Sequence, residues 1–259
     1  MTICAIYKQA DSIWMISDSR LTVGQSPIDV GVKISALPYK IFGPTEPDGR
    51  TRKVYSEGRI GFCFAGSSLT AYAIKESISE IIANIQTTIE EEILSFTHLN
   101  EIIFNAYSHL TKEIGTLLGS NNITQIVTCG KLAQDKSPHV FRLTCRLDGM
   151  FDSSEIFFEE NHYEIFGSAS SRVDPEKCAT LGGVIHEVNR IACDSSATDV
   201  GPPLQIGHLS PSGGFRCLGQ LIIDSTGVKH ARVGLDLQLL NSVRSGMFNP
   251  LIEYLELSK

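Results

Sequence analysis

The chain has 259 residues, 42% hydrophobic and 20% charged, which excludes disordered, collagen-like and fibrous classes and leaves ample chain for a globular core. Lys and Arg number 22 against 29 Asp and Glu, a formal net charge of -7; with no basic stripe to neutralise a phosphate backbone, nucleic acid is not an expected partner. No stretch reaches the roughly 18 uninterrupted apolar residues a bilayer-spanning helix needs, and Lys8 and Asp11 break the N-terminus before a signal-peptide apolar region can form, so a cytoplasmic protein without membrane partners is expected.

Residues 2–7 and 12–17 are short apolar, β-branched or aromatic runs joined by the polar turn Lys-Gln-Ala-Asp, which predicts a hairpin at the start of the chain. Leu37 to Gly58 carries three prolines, two internal glycines and four basic residues from Lys40 to Lys53, and reads as an exposed loop inserted between strands. A third strand, from Arg59 to Ala65, runs into Gly66-Ser67-Ser68. Ile74, Ile78, Ile81, Ile82, Ile85, Ile89 and Ile93 then recur at spacings of three and four, which predicts one long amphipathic helix whose isoleucine face packs in the core or on another subunit. Leu99, Ile103, Ala106, Tyr107, Leu110, Ile114 and Leu117 repeat the helical period directly afterwards.

Strands are expected at Thr124–Leu132, Val140–Leu147, Glu155–Glu159 and Tyr163–Phe166. Asp174-Pro175-Glu176 supplies an N-cap, a first-turn proline and a first-turn acid for a helix through Leu181, Ile185, Val188 and Ile191. Late strands follow at Pro203–His208, Phe215–Asp224 and His230–Leu235, with a helix to Ser245 and another after Pro250. Strands that arrive in groups, with two consecutive helices between them, favour antiparallel sheets covered by helices over a βαβ nucleotide-binding fold. Neither an internal repeat nor an interdomain linker is evident, so residues 1–259 read as one α+β domain.

The first strand begins at Thr2, a small residue of the kind from which methionine aminopeptidase removes Met1. Removal leaves a free α-amine, of pKa about 7.7–8.0, beside the residue's own hydroxyl; one residue then supplies nucleophile and base. Such a site needs a cation to favour the alkoxide, an anion to hold that cation, and backbone donors where the oxyanion develops. Asp18 closes the second strand, Lys33 follows in Gly-Val-Lys-Ile, and Gly66 stands at the N-terminus of a helix, whose unpaired N–H groups face developing negative charge. Asp18 can alternatively cap a turn and pair with Arg20.

On these residues the chain resembles the proteasome β-subunit family of N-terminal nucleophile hydrolases. The features are Thr2, Ser17-Asp18-Ser19-Arg20 sixteen positions on, Lys33-Ile34, and Ala65-Gly66-Ser67 before the first long helix. Phe166-Gly167-Ser168-Ala169-Ser170 is similar to the family's Gly-Ser-Gly-Ser segment, which puts Ser168 near the terminal amine, and Asp199 in Thr-Asp-Val-Gly-Pro is similar to the start of its Asp-x-x-Ser-Gly motif. The resemblance covers most of residues 2–235. It implies a four-layer αββα sandwich of two antiparallel sheets, a homo-oligomer, and a peptide or small amide as substrate. Lys33 sits one position early for the family and Pro202 stands where it has a Ser. The Leu37–Gly58 insertion makes Lys40 a rival for the lysine role; Lys33 is preferred because it needs a one-residue shortening instead of a seven-residue insertion.

The functional expectation is an amide hydrolase, threonine-peptidase-like, with Thr2 as nucleophile. The alternatives are a non-peptide amidase on the same fold and a catalytically inactive scaffold or binding subunit that retains Met1. No metal or organic cofactor is implied: the seven histidines lack metal-ligand spacing, and neither Gly-x-Ser-x-Gly nor a P-loop is present. The seven scattered cysteines, without a Cys-x-x-Cys pair, are expected to be mostly buried reduced thiols.

Overall fold

A computed structural model describes residues 2–23, 26–45, 53–88, 94–118, 123–146, 148–157, 159–224, 227–232, 235–236 and 254–255. Met1 and the helix expected to Ser245 lie outside the described residues; of the helix expected after Pro250 only residues 254–255 are described, and they form a short strand instead, because they pair with Gly219 and Gln220. The chain opens with β1 (Cys4–Gln9), β2 (Ser12–Ser17), β3 (Leu21–Val23), β4 (Ser26–Ile28), β5 (Ile34–Phe42) and β6 (Val54–Gly66). Two helices follow, α1 (Ser68–Ile82) and α2 (Phe96–Leu118), with the two-residue strand β7 (Ile85–Gln86) between them. Then come β8 (Thr124–Gly130), β9 (His139–Cys145), β10 (Phe151–Glu155), β11 (Tyr163–Phe166) and α3 (Leu181–Ala192). The described chain ends with β12 (Gln205–Leu209), β13 (Phe215–Asp224), β14 (Gly227–Arg232), β15 (Leu235–Asp236) and β16 (Tyr254–Leu255).

The result is a mixed α+β fold, mostly sheet. One sheet runs β11-β1-β2-β12-β13-β14-β15, with β16 beside β13, and a second runs β10-β9-β8-β6-β5-β7. Among the described residues every strand pair is antiparallel except β13 with β16 and β5 with β7. Period-two alternation assigns each strand's side chains to two different cores. In β1, Cys4 and Ile6 join Cys63, Ala65 and Val127 of the other sheet, while Ala5 and Tyr7 join Val184, Val188 and Ile191 of α3. In β6, Cys63 and Ala65 face β1, while Ile60, Phe62 and Phe64 pack on Ile74 and Ile78 of α1 and Leu99 and Ile103 of α2. A strand buried on both faces must be apolar throughout, which is why Ile60 to Ala65 reads as an unbroken run. Each large side chain so buried is worth about 1.5–3 kcal/mol.

Four further expectations need correction. Of the loop expected from Leu37 to Gly58, residues 37–42 and 54–58 are strand instead: β5 and the first half of β6 form a hairpin in which Pro38 pairs with Arg59 and Tyr39 with Gly58. Among the described residues β5 is neighboured on its far side only at Ile41 and Phe42, so Pro38 lies on an edge stretch, where proline is tolerated in a sheet. Second, the isoleucine helix stops at Ile82, with Ala83 as its C-cap, and Ile85 turns to pair with Ile41. Ile74, Ile78 and Ile82 are buried and Ile81 is exposed, while Ile89 and Ile93 lie outside the described residues.

Third, the strand set at Glu155–Glu159 lies earlier, at Phe151–Glu155, where pairing with β9 outweighs the polar composition of Asp152-Ser153-Ser154; Phe157 is 81% exposed. Fourth, Asp174 caps only a short 3-10 turn at Pro175–Lys177, and α3 starts later because Thr180 accepts from the Gly183 N–H at 3.1 Å. Cys4, Cys63, Cys129 and Cys178 are buried free thiols. No helix among the described residues is long and apolar enough to cross a membrane.

Glu187 of α3 is buried and its carboxylate accepts from Arg190 at 2.9 and 2.8 Å and from the Asp174 N–H at 3.2 Å. The Arg190 hydrogen bonds hold its carboxyl down to about 2, against an ordinary 4.5. A lowered folded-state value stabilises above the unfolded one, so this contribution is complete above about pH 4.5 and is lost as pH falls toward about 2. Glu187→Gln is expected to lower the unfolding midpoint near neutral pH, and the gap to the parent should close as the measurement moves into that acid window.

Candidate functional site

Thr2 leads into β1 and is almost fully buried. Two groups of side chains meet its backbone from opposite sides. On one side, Asp18 follows the last residue of β2, where the chain leaves the ladder. Its Oδ1 accepts from the Ile3 N–H at 3.1 Å and from Lys33 Nζ at 2.7 Å, and its Oδ2 accepts from the Arg20 and Gly201 N–H groups at 3.0 and 3.2 Å. Both side chains of the Lys33–Asp18 pair are 0% exposed. Burying two charges costs several kcal/mol each, recovered only when geometry is good and the remaining lone pairs are filled; four donors on one carboxylate meet that condition.

On the other side, β1 pairs with β11 so that Cys4 faces Phe166. Continuing that register sets Gly167 opposite Ile3 and Ser168 opposite Thr2. Ser168 Oγ accepts from Thr2 N at 3.2 Å and donates to Asp199 Oδ2 at 2.9 Å. Gly167 makes this approach possible: its φ is +100° and a Cβ there would run into the Thr2 carbonyl oxygen. Gly167→Ala is therefore expected to cost about 1–3 kcal/mol by denaturant unfolding, through strain and displacement of the Ser168 loop.

Gly66 ends β6 with φ +113°, and a Cβ there would lie 2.5 Å from the Ile123 carbonyl oxygen. Ser67 then caps α1, its Oγ accepting from Thr70 N at 3.4 Å and Thr70 Oγ1 at 3.1 Å. Thr2, Gly66, Ser67, Gly167 and Ser168 all line one cleft of about 940 Å³, with Arg20 and Tyr72 on its wall. Asp18 and Lys33 are not on that wall; they are reached through the Ile3 N–H. The cleft is thus lined by a threonine, a backbone turn at a helix start and the serine that accepts from the Thr2 N–H.

Of the residues singled out in the sequence, Thr2, Asp18, Lys33, Ser168 and Asp199 fall into this connected network, and Gly66 shares the cleft with Thr2. Lys40 does not: it lies on the hairpin surface, 3.2 Å from Glu57, with 39% of its side chain exposed. Asp18 does not pair with the Arg20 guanidinium either, which makes two bonds to Asp29 at 2.7 and 2.8 Å and holds that carboxyl below its ordinary range. Burial, then the Cys4 thiol 3.2 Å away, pushes the Cys63 thiol well up, which favours the protonated, unreactive form. One residue carries no motif and was missed. Gln205, at the start of β12, hydrogen-bonds the backbone of both the Asp18 and the Lys33 segments.

The sequence matches no protein-family model and no curated protein. Solved structures do match. Anbu from Hyphomicrobium sp. strain MC1 aligns with a TM-score of 0.55 at 13% identity, covering 92% of this chain and 91% of that one. The fold is similar to that of Anbu. The Anbu protein of Yersinia bercovieri, named as an ancestral beta-subunit, aligns at TM-score 0.51 and 14% identity over 80% of this chain and 81% of its own. The Pseudomonas aeruginosa Anbu complex, described as a helical assembly, aligns at TM-score 0.50 and 16% identity over 79% of each chain. At these identities the likeness speaks for the fold alone.

Proposed function

We propose that the chain is a threonine hydrolase of the proteasome-like N-terminal nucleophile type, acting on an amide bond. The observation that carries the proposal is the buried Lys33–Asp18 pair whose carboxylate also holds the Ile3 N–H, directly after the candidate nucleophile. A fully buried ion pair is a poor device for stability alone, since apolar residues of similar volume do as well or better. Such a pair calls for a chemical explanation when its carboxylate holds the backbone directly after a threonine that lines a cleft.

In the proposed reaction Met1 is first removed. Thr2 Oγ attacks the substrate carbonyl and its proton passes to the Thr2 α-amine through a water; Lys33, fixed by Asp18, lowers the cost of the alkoxide. The Gly66 N–H receives the oxyanion. Ser168 and Asp199 hold the α-amine by extending the relay Asp199–Ser168–Thr2 N. The amine leaves with a proton, and water releases the acyl ester from Thr2. The proposed frame is a single domain arranged as a four-layer αββα sandwich, assembled as a homo-oligomer in the cytoplasm. Oligomerisation is supported by the assembly named for the Pseudomonas aeruginosa relative.

Incubation with a peptidyl β-lactone, followed by peptide mapping, tests the proposal. An acyl adduct on the N-terminal Thr2 is expected. A panel of simple acyl amides alongside peptides separates a peptidase from an amidase, and a chain that retains Met1 and forms no adduct would be the scaffold instead.

A further inference from the structure

We propose that Gln205 is a positioning residue for the Lys33–Asp18 pair, a role that rests on the hydrolase function above. Asp18 and Lys33 both lie just outside strands, in residues 18–20 and 30–33, where isolated backbone bonds from the Asp18, Ser19 and Gly31 N–H groups to Ile3, Gly201 and Ser19 take the place of a regular ladder. Gln205 does lie in the ladder, opening β12 in register with Ser17 of β2. From there one side-chain amide ties both irregular segments to the sheet. Its Oε1 accepts from the Lys33 N–H at 2.9 Å and the Ile34 N–H at 3.1 Å. Its Nε2 faces the Asp18 carbonyl at 3.1 Å, Ser19 Oγ at 2.9 Å and the Gly31 carbonyl at 2.6 Å, sharing two N–H groups among three acceptors.

Only this amide orientation is possible, because a flip would set oxygen against two carbonyls and nitrogen against two N–H donors. The side chain is buried, so water cannot take over these bonds. Losing them loosens the Lys33 and Asp18 segments relative to each other, and a displacement of about 1 Å at a reacting group costs about 100-fold in rate.

Gln205→Met keeps the side-chain length and deletes every bond. The expected result is an acylation rate by the peptidyl β-lactone about 100-fold lower, with probe affinity within about threefold of the parent. A second readout does not depend on activity: the Lys33 ammonium protons, observed by 15N NMR, are expected in slow exchange in the parent and broadened away in the variant. A residue that merely supports the fold would lower the unfolding midpoint and leave rate and ammonium signal unchanged, which would overturn the proposal. If the parent forms no adduct while the ammonium signal still disappears in the variant, the hydrolase function fails and the positioning role stands. Should Gln205→Met not fold, amide exchange of Lys33 and Ile34 in the parent decides: protection supports the role, and exchange at free-peptide rates refutes it.

Discussion

Lys33→Met is expected to abolish acylation, with a rate loss of about 1,000-fold or more, and to destabilise the chain by about 3–5 kcal/mol. Both effects come from one cause. Asp18 stays buried with its charge uncompensated, because the three N–H groups from Ile3, Arg20 and Gly201 that remain on its oxygens supply dipoles and no net charge. Adding Asp18→Asn should restore part of the stability, since no buried charge is left and the amide oxygen can still accept from the Arg20 and Gly201 N–H groups, at the loss of the Ile3 bond. It should restore no activity. Denaturant unfolding and β-lactone labelling of the two variants check this: a double variant that recovers stability without labelling marks the pair as chemical machinery. A single variant as stable and as reactive as the parent would contradict the assignment.

Thr2→Ala should lose about 10,000-fold or more in acylation rate while its unfolding midpoint stays near the parent's. Thr2→Ser should keep measurable activity. All three residues are small enough to permit Met1 removal, so the comparison isolates the hydroxyl. Where activity is retained, the rate is expected to rise with pH as the α-amine loses its proton near its ordinary value of about 7.7–8.0. Labelling rates across pH for the parent and the Ser variant give the measurement.

Much of the frame was legible because burial dictates pattern. β1 and β2 show as paired apolar runs, α2 by its spacing of three and four, and the strand at Tyr163–Phe166 at the bounds the structure gives it. The errors at the β5–β6 hairpin, at the end of α1 and at β10 share one physical source: local signals were overridden by pairing partners distant in sequence. Pro38 and Gly58 look like loop residues until β6 is folded back on β5, and Ser153 looks polar until β9 lies beside it. At Asp174 two caps compete, and the Thr180 cap starts the longer helix.

The site divides the same way. Thr2, Asp18 and Lys33 were visible because each falls at a strand end in a spaced motif, and Gly66 because a turn opening a helix needs a residue that tolerates positive φ. Gln205 was invisible. Its role is created by the register of β12 on β2, which brings the Asp18, Gly31 and Lys33 segments around one amide. No spacing along the chain encodes that encounter.

The account depends most on Thr2 becoming the first residue, since only then does its nitrogen, already 3.2 Å from Ser168 Oγ, become a base. Intact-mass measurement of protein made in cells with normal methionine removal tests this directly. The account predicts a single species lighter by one methionine residue. A population that uniformly retains Met1 would contradict it.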